Sequence, residues 1–251
     1  MKSLLVSDIH ANLPALEAVL DCEGTWDEVL CMGDAVVAGP FPTEVLSLLE
    51  RLGAVCVLGN HDREAREVDL DARPSDVNRT WLQWTRRQLS PRNCDFLAAL
   101  PEARAHTSQG LALRLTHGVL PREWGSRLWP DSAPGAFAAL ASRYAEPYIL
   151  FGHSHVQFRG QYGATTFINP GTVGAPYLHQ AVVCYGVLED GRFDLRATTY
   201  DVERTCRALD ERVPLDDREF AEAWKTCWRT GRLPPCYTIR DYAPLLALRY
   251  R

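Results

Sequence analysis

Short apolar runs alternate with helix-like segments over the first 200 residues of the chain. The runs are rich in Val, Leu, Ile and Phe and are bounded by Gly, Asn or Asp, which is typical of buried strands. They predict strands at 3–6, 28–32, 54–58, 111–116, 148–151, 165–168, 182–188 and 193–199. Apolar residues three and four apart predict helices at 13–20, 43–52, 77–89 and 135–144. Because strands and helices alternate early and short turns join the later strands, we predict an α/β fold with two packed sheets and outer helices.

The pattern changes after residue 199. Phe220, Trp224, Cys227 and Trp228 recur at the spacing of one face of an amphipathic helix. The sequence therefore predicts a domain of residues 1–200 and a C-terminal helical extension of residues 201–251 that packs on it. A cover for a functional site and a subunit contact stay open as further roles of this helix.

Six of the apolar runs end in short clusters of metal-binding or turn residues. The clusters are DIHAN at 8–12, GD at 33–34, GNHD at 59–62, HG at 117–118, GHSH at 152–155 and NPG at 169–171. Ligands of α/β sheets bind beyond the carboxyl ends of strands, so we expect these clusters to lie together. Five of the seven histidines of the chain fall in them, which favours a built site over incidental turns.

Taken singly, each cluster has an ordinary alternative, such as a helix-capping aspartate, a tight turn or a buried histidine. Taken together they offer seven metal ligands, namely Asp8, His10, Asp34, Asn60, His117, His153 and His155. Imidazole mixed with carboxylate, and no cysteine, favours Mn²⁺, Fe or Zn²⁺ over Ca²⁺ or Mg²⁺. The pattern predicts two divalent metal ions, with Mn²⁺ as the first choice.

The order of these motifs, followed by NPGTVG at 169–174, resembles the calcineurin-like metallophosphoesterase superfamily, and within it the compact bacterial and archaeal phosphodiesterase branch. The resemblance implies a four-layer α/β/β/α sandwich with two packed mixed sheets. It also implies how the ligands are divided between the metals. One metal would take Asp8, His10 and His155, the other would take Asn60, His117 and His153, and Asp34 would bridge them.

The resemblance further implies catalytic and substrate-binding residues. His61, beside the ligand Asn60, would donate a proton to the leaving oxygen, and Asp62 would orient it. Asn12 matches a position close to the substrate. Asn169 and the two residues after it match a motif that lines the metal pocket, where structural support is the favoured role.

These features predict an enzyme that hydrolyses phosphodiester or nucleotide phosphoanhydride bonds. Two metal ions lower the pKa of a water between them, so that a bridging hydroxide attacks phosphorus while His61 protonates the departing oxygen. A phosphomonoesterase, a protein phosphatase of the same fold and a metal-bound scaffold without activity are the alternatives. The presence of His61 and of all seven ligands argues against the scaffold.

An arginine and a tryptophan near His117 are candidates for substrate recognition. Arg122 can hold phosphate oxygens with two parallel hydrogen bonds, and the indole of Trp124 can stack on a base. Solvated arginines and packed tryptophans are the alternative. We therefore predict a small phosphorylated or nucleotide substrate.

Composition limits the other partners. The net charge of −5 gives no general attraction to nucleic acid or anionic lipid, so no stable nucleic-acid complex is expected. The first apolar run is too short for a signal peptide, and no segment is long enough to span a membrane. The eight cysteines form no CxxC pair and several lie in strand-like runs, which favours buried free thiols over disulfides or a zinc site. We expect a cytoplasmic protein, and the sequence does not indicate its oligomeric state.

Overall fold

Two five-stranded mixed sheets form the centre of the molecule. The computed structural model describes residues 1–118, 128–176 and 181–232. The strands are β1 (Lys2–Val6), β2 (Glu28–Cys31), β3 (Val55–Cys56), β4 (Ala103–Ser108), β5 (Leu111–Thr116), β6 (Tyr148–Leu150), β7 (Phe158–Tyr162), β8 (Thr165–Asn169), β9 (Val183–Glu189) and β10 (Arg192–Thr198). The first sheet has the order β10-β9-β1-β2-β3 and the second β4-β5-β6-β8-β7. In each sheet three neighbouring strands are parallel, namely β1, β2 and β3 in the first and β5, β6 and β8 in the second. The other strands are joined by antiparallel pairing: β9 to β1 and β10 to β9 in the first sheet, and β4 to β5 and β7 to β8 in the second.

The described residues also form eight helices. They are α1 (Leu13–Glu23), α2 (Pro42–Arg51), α3 (Asn60–Glu67), α4 (Val77–Gln88), α5 (Pro91–Ala99), α6 (Pro134–Ala141), α7 (Val202–Arg212) and α8 (Arg218–Thr230). Helix α6 packs on the outer face of the second sheet, where Phe137 contacts the rings of Phe158 and Phe167. Buried residues of α1, α2, α4, α7 and α8 share one core with the first sheet.

Alternating side chains divide the core into layers. Leu4 and Val6 face the helices that cover the first sheet, whereas Leu5 lies between the sheets. On β6, Leu150 lies between the sheets and Ile149 faces α6. This period of two is the geometry of a strand that is buried on both faces. The predicted α/β/β/α sandwich of two packed mixed sheets is confirmed.

Helix α7 packs on α1, and helix α8 packs on α7 and buries large side chains in the core that these helices share with the first sheet. Trp224 and Trp228 are 2% and 0% exposed, and the Trp224 ring meets Trp81 of α4 edge to face. The division at residue 200 stays a prediction, and residues 233–251 of the extension lie outside the described ranges. The extension thus shares the core of the domain as far as the structure describes it.

Several elements were not predicted from the sequence. Strands β4 and β7 lie at the edges of the second sheet and carry exposed polar residues, so their apolar pattern is weak. Helix α3 is one of the shortest and starts at Asn60, inside a motif that was interpreted as a loop.

Cysteine pairing and membrane spans can be compared with expectation. Seven cysteines are described, and no disulfide joins any two of them. Five of the seven are buried, which agrees with the prediction of buried thiols. Within the described residues no helix has the length and apolar character needed to cross a bilayer. The cytoplasmic location stays a prediction.

Candidate metal centre

The seven predicted ligands meet at the carboxyl ends of five strands. Asp8 and Asp34 follow β1 and β2, Asn60 opens α3 after β3, His117 follows β5, and His153 and His155 follow β6. We call these side chains, with His10, the histidine cluster. Its two aspartates and four histidines are each less than 8% exposed. Parallel pairing of β1, β2 and β3 and of β5 and β6 places all these strand ends on one side of the molecule.

The backbone of these loops is held in an uncommon conformation. Eight non-glycine residues of the site loops have positive φ, among them Asp8, Asp34, His153 and His155. Side-chain-bearing residues rarely adopt this region, and each such residue costs about 1–3 kcal/mol unless its surroundings hold it. The hydrogen bonds from Asp8 N–H to the Gly33 carbonyl and from His10 N–H to the Asp34 carbonyl, both 3.0 Å, hold the first two loops side by side.

Two glycines allow the loops to approach each other. A Cβ on Gly59 would lie 2.1 Å from Asp34 Oδ1 and 2.2 Å from the Asp34 nitrogen. A Cβ on Gly152 would lie 1.9 Å from Ser7 Oγ. The glycine before Asn60 and the one before His153 are therefore required by the packing of the site.

The first ligand group contains Asp8, His10 and His155. The Nε2 atoms of His10 and His155 are 3.2 Å apart, and Asp8 Oδ1 lies 3.2 Å from His155 Nε2 and 3.9 Å from His10 Nε2. The other oxygen of Asp8 accepts hydrogen bonds from Ser7 Oγ at 2.6 Å and from the His153 N–H at 3.1 Å. One carboxylate oxygen is thus anchored while the other faces the histidines.

The second group contains Asp34, His117 and His153. His117 Nε2 lies 3.1 Å from Asp34 Oδ2, 3.1 Å from His153 Nδ1 and 3.2 Å from Asn60 Oδ1. The first group has the three residues that the resemblance assigns to one metal, and the second has His117 and His153 of the other assignment together with Asp34. The division of ligands between two metals stays a prediction. The pKa of Asp34 is influenced by His117 of this group and by His10 of the first, so its charge acts on both.

Hydrogen bonds to backbone carbonyls set the tautomers of three histidines. The Nδ1 atoms of His10, His117 and His155 lie 3.3, 2.7 and 3.0 Å from the carbonyl oxygens of Val37, Met32 and Ala175. Because a carbonyl only accepts, each Nδ1 carries a proton, and the neutral rings of His10 and His155 direct their Nε2 lone pairs toward each other. His155 Nε2 lies 3.2 Å from both His10 Nε2 and Asp8 Oδ1, so three acceptors face one another in the first group, and a cation would remove this repulsion. In the second group His117 Nε2 faces Asp34 Oδ2 at 3.1 Å, a pair that either a proton or a cation can join. The residues thus fit two metal ions.

The charges of the cluster agree with this interpretation. Burial, and then His155, lower the pKa of His10 to about 3, which keeps its ring neutral and able to bind a metal. Burial alone would lower the pKa of His117, but Asp34 and Asp8 outweigh it and raise the pKa to about 9, so without a cation the ring binds the proton that these two carboxylates attract. Burial alone would raise the pKa of Asp34, yet the neighbouring histidines, His117 first, hold it well below its usual value. The protein thus maintains two anionic carboxylates where positive charge is needed.

His61 lies beside the cluster, and its partner is a residue that the sequence did not suggest. Its ring meets His10 edge to face with centroids 5.4 Å apart, and its Nδ1 lies 2.9 Å from Glu64 Oε2. Burial lowers the pKa of His61, but Asp34 and Glu64 together raise it above its usual value. The spacing of three residues in α3, from His61 to Glu64, is the signal that could have indicated this pair.

Asp62 does not orient His61, which corrects the expectation from the sequence. Its Oδ1 accepts hydrogen bonds from the N–H groups of Ala35 and Val36, and its Oδ2 accepts from those of Asp34 and Gly59. Both oxygens are therefore bound to backbone. Asp62 instead ties the loop that carries Asp34 to the first turn of α3.

Asn12 does not face a substrate, which is a second correction. The side chain is fully buried. Its Nδ2 donates to the Gly174 carbonyl and to Tyr200 Oη, both at 3.1 Å, and its Oδ1 accepts from the Ala15 N–H and from Thr205 Oγ1. All of its hydrogen-bonding capacity is used within the protein. Asn12 caps α1 and connects the site loop to α7.

The remaining candidate residues have different outcomes. Arg122 and Trp124 lie outside the described residues. Asn169 donates to the Gly152 carbonyl at 2.8 Å and to Ser154 Oγ at 3.0 Å, so it supports the loop of His153 as expected.

Comparison with known proteins agrees with this geometry. Residues 1–190 match the model of the calcineurin-like phosphoesterase superfamily domain. An uncharacterised protein of Methanocaldococcus jannaschii is 27% identical in an alignment of 246 positions that covers 88% of this chain and 98% of that protein. A symmetrical bis(5′-nucleosyl)-tetraphosphatase of Pseudomonas fluorescens is 30% identical in an alignment of 149 positions that covers 56% of this chain and 51% of that enzyme. The crystal structure of a metallophosphoesterase from Sphaerobacter thermophilus superposes with a TM-score of 0.76 at 25% identity and covers 92% of this chain and 99% of that one.

Proposed function

Since the chain belongs to the calcineurin-like phosphoesterase superfamily, we propose that it hydrolyses phosphodiester or nucleotide phosphoanhydride bonds with two divalent metal ions as cofactors. The observation that carries the proposal is the convergence of imidazole lone pairs and carboxylate oxygens in the histidine cluster. A network built for stability alone would pair donors with these acceptors.

The proposed division of ligands is supported by the two groups of neighbouring side chains. Asp8, His10 and His155 would hold one ion, Asn60, His117 and His153 the other, and Asp34 both. The many imidazole ligands favour Mn²⁺, with Fe or Zn²⁺ as alternatives. When bound, the ions would supply a Lewis acid for the phosphoryl oxygens and lower the pKa of a water.

Protonation of the leaving oxygen is assigned to His61. The Nδ1 proton of its ring is held by Glu64, which leaves Nε2 to donate to the substrate. The side chain is 28% exposed, so a substrate can reach it, whereas the histidines of the cluster are nearly buried. The P–O bond to the leaving group breaks, its electron pair stays on the departing oxygen, and that oxygen takes the His61 proton. The oxygen of a water that has released one proton to solvent bonds to phosphorus, and His61 regains a proton from solvent.

A nucleotide is the favoured substrate class. The Pseudomonas fluorescens relative carries the name of an enzyme that acts on bis(5′-nucleosyl) tetraphosphates, and it aligns with just over half of this chain. A small anionic substrate also agrees with the net charge of −5, which gives no general attraction to a polyanion such as nucleic acid.

The test is a hydrolysis assay with controlled metal content. We expect the chelated, metal-free protein to be inactive on diadenosine tetraphosphate and on bis-p-nitrophenyl phosphate, and Mn²⁺ to restore activity further than Mg²⁺ does. Hydrolysis that persists at full rate after verified metal loss would contradict the proposal.

The role of His61 is tested by the leaving group. His61→Ala should keep its bound metal and should slow substrates with alkyl leaving groups more than nitrophenyl esters, because a poor leaving group needs the proton most. Glu64→Gln should change the same ratio less. Equal slowing of alkyl and nitrophenyl esters in His61→Ala would show that His61 is not the proton donor.

A further inference from the structure

A cleft of about 380 Å³ opens beside His61. It lies between α3, the start of α4 and the loop of Val37 and Ala38, which follows Asp34. Its volume is at the small end of the range for ligand pockets. Because His61 is assigned to the leaving oxygen, the part of the substrate that departs would lie on this side of the cluster.

The lining of the cleft combines an apolar floor with a polar rim. Trp81, Leu82 and Val37 contribute the apolar part, and Ser75 and Arg79 belong to the rim. This arrangement matches a ligand with one flat apolar portion and one anionic portion.

Arg79 brings a guanidinium to the lining of the cleft, together with two carboxylates. Glu64 binds His61, and Asp76 accepts hydrogen bonds from the backbone N–H of Arg79 and from Ser75 Oγ, both at 2.9 Å. These hydrogen bonds, and after them the charge of Arg79, lower the pKa of Asp76. The guanidinium has donors for two parallel hydrogen bonds to a phosphate that enters the cleft.

We propose that this cleft binds the leaving part of the substrate as a nucleoside 5′-phosphate, with Arg79 on its phosphate and the base against the apolar floor. The proposal rests on the proposed function, in which His61 protonates the leaving oxygen. That role places the departing group on the side of His61, where the cleft opens. It makes Arg79 a determinant of specificity for nucleotides.

The experiment separates binding in the cleft from hydrolysis. Binding of adenosine 5′-monophosphate to the metal-free protein is measured by calorimetry for wild type, Arg79→Ala and Arg86→Ala. Arg86 lies on the same helix with the same charge but does not line the cleft, so it is the matched control. We expect Arg79→Ala to bind about 10- to 100-fold more weakly and Arg86→Ala to bind as wild type does.

The kcat/KM ratio between diadenosine tetraphosphate and bis-p-nitrophenyl phosphate should fall by a similar factor in Arg79→Ala alone. Equal binding by the two variants, or no binding by wild type, would overturn the cleft proposal whatever the hydrolysis assay gives. Selective binding without hydrolysis of either substrate would instead refute the proposed function and leave the cleft as a nucleotide site.

A second inference comes from the contacts between the C-terminal extension and the loop of residues 171–176. Within this loop the Ala175 carbonyl accepts the hydrogen bond that orients His155. On either side of it, Trp228 Nε1 donates to the Gly174 carbonyl at 3.1 Å, and Cys227 Sγ donates to the Pro176 carbonyl at 3.2 Å. Both donors are fully buried on α8.

The same loop is held from its other side. Asn12 Nδ2 also donates to the Gly174 carbonyl, and Thr205 Oγ1 of α7 donates to Asn12 Oδ1 at 2.9 Å. The Gly174 N–H in turn donates to the Asp8 carbonyl. Helix α8 is therefore two hydrogen bonds away from Asp8, through Gly174, and helix α7 is three hydrogen bonds away, through Asn12 and Gly174.

We infer that Trp228 is a positioning residue for His155, and that the extension sets the metal affinity of the first ligand group. Residues that orient a ligand from outside the coordination shell commonly change metal affinity 10- to 100-fold. Residues 202–230 of α7 and α8 lie beyond the part of the chain that matches the family model. The inference thus assigns a role to a segment that the family match does not cover.

The test compares two tryptophans of one helix. Trp228→Phe keeps an aromatic ring and removes the N–H donor, whereas Trp224→Phe makes the same change at a ring that packs on Trp81 and Trp228. Co²⁺ binding is followed by its visible absorption, and thermal unfolding is measured in the metal-free state. We expect Trp228→Phe to weaken one of two Co²⁺ sites about 10- to 100-fold, and Trp224→Phe to lower thermal stability without changing either affinity.

Thr205→Val, which removes the hydroxyl that holds Asn12, provides a second variant with a smaller loss of packing. It should weaken the same Co²⁺ site. Co²⁺ affinities of Trp228→Phe and Thr205→Val equal to that of Trp224→Phe would overturn the inference.

Discussion

Polar clusters at the two ends of β1 and β2 use similar residue types in opposite ways. At the amino ends, Glu28 accepts hydrogen bonds from Ser3 Oγ at 2.6 Å, from His106 Nε2 at 2.8 Å and from Ser108 Oγ. We call these four residues the amino-end cluster; it joins the two sheets. At the carboxyl ends, His155 Nε2 lies 3.2 Å from both His10 Nε2 and Asp8 Oδ1, so acceptors of the histidine cluster face one another.

The difference shows how a stabilising network is told from a metal site. In the amino-end cluster both carboxylate oxygens of Glu28 accept hydrogen bonds from donors of the protein, so no further ligand is needed. In the histidine cluster the Nδ1 proton of each anchored ring is donated to a backbone carbonyl. The Nε2 atoms of His10 and His155 and Asp8 Oδ1 then face one another as acceptors, and a cation would satisfy them. The balance of donors and acceptors distinguishes the two clusters.

The largest effect is expected at the ligand that both groups share. Asp34→Asn keeps an oxygen to accept the His61 N–H at 2.9 Å but removes the charge between the groups. We expect bound metal to fall from two ions to one or none, and the hydrolysis rate to fall roughly 10³-fold or more. Metal analysis and rate on the same preparation check this, and unchanged metal content would be evidence against a shared carboxylate.

A smaller effect is expected where the backbone approaches that ligand. In Gly59→Ala the new methyl group meets Asp34 Oδ1 and the Asp34 nitrogen, so the loops must separate. We expect a loss of roughly 1–3 kcal/mol in the free energy of unfolding, together with weaker metal binding. Denaturant unfolding with and without metal measures both, and metal binding equal to wild type would show that the loops tolerate the displacement.

In the amino-end cluster, replacing the carboxylate by an amide should affect only the stability of the fold. Glu28→Gln weakens the charge-assisted hydrogen bonds, so the unfolding free energy at neutral pH should fall by about 1–2 kcal/mol while metal content stays at the wild-type level. Metal loss in this variant would contradict the separation of the two clusters.

This stabilisation has a defined pH dependence. Burial alone would raise the pKa of Glu28, but hydrogen bonds from Ser108, Ser3 and His106 hold it below the ordinary 4.5. The folded state then favours the ionised form, so the contribution is complete above about pH 4.5 and is lost as the pH falls through the lowered folded value. The wild-type and Glu28→Gln unfolding free energies should converge over that acidic range.

The smallest effect is expected for Ser108→Ala, which removes a neutral donor from the amino-end cluster. We expect about 0.5–1 kcal/mol in unfolding free energy and no change in metal binding. A loss as large as that of Glu28→Gln would mean that Ser108, rather than the charge of Glu28, holds the sheets together.

The sequence predicted those features of the structure that depend on a local pattern of residues. Apolar runs that end in Asp, Asn or His located the strands and the histidine cluster, because the carboxyl ends of parallel strands meet. Contacts between residues that are far apart in the sequence could not be predicted in this way. Asn12 is bound by Thr205, which is 193 residues away, and Asp62 is bound by the loop after Asp34, so both corrections depend on partners that no local pattern indicates.

Anomalous diffraction from crystals grown with Mn²⁺ tests the central claim most directly. The account predicts two peaks per chain, one among Asp8, His10 and His155 and one among Asn60, His117 and His153, with Asp34 in contact with both. A single peak, or none at saturating Mn²⁺, would contradict a two-metal phosphoesterase.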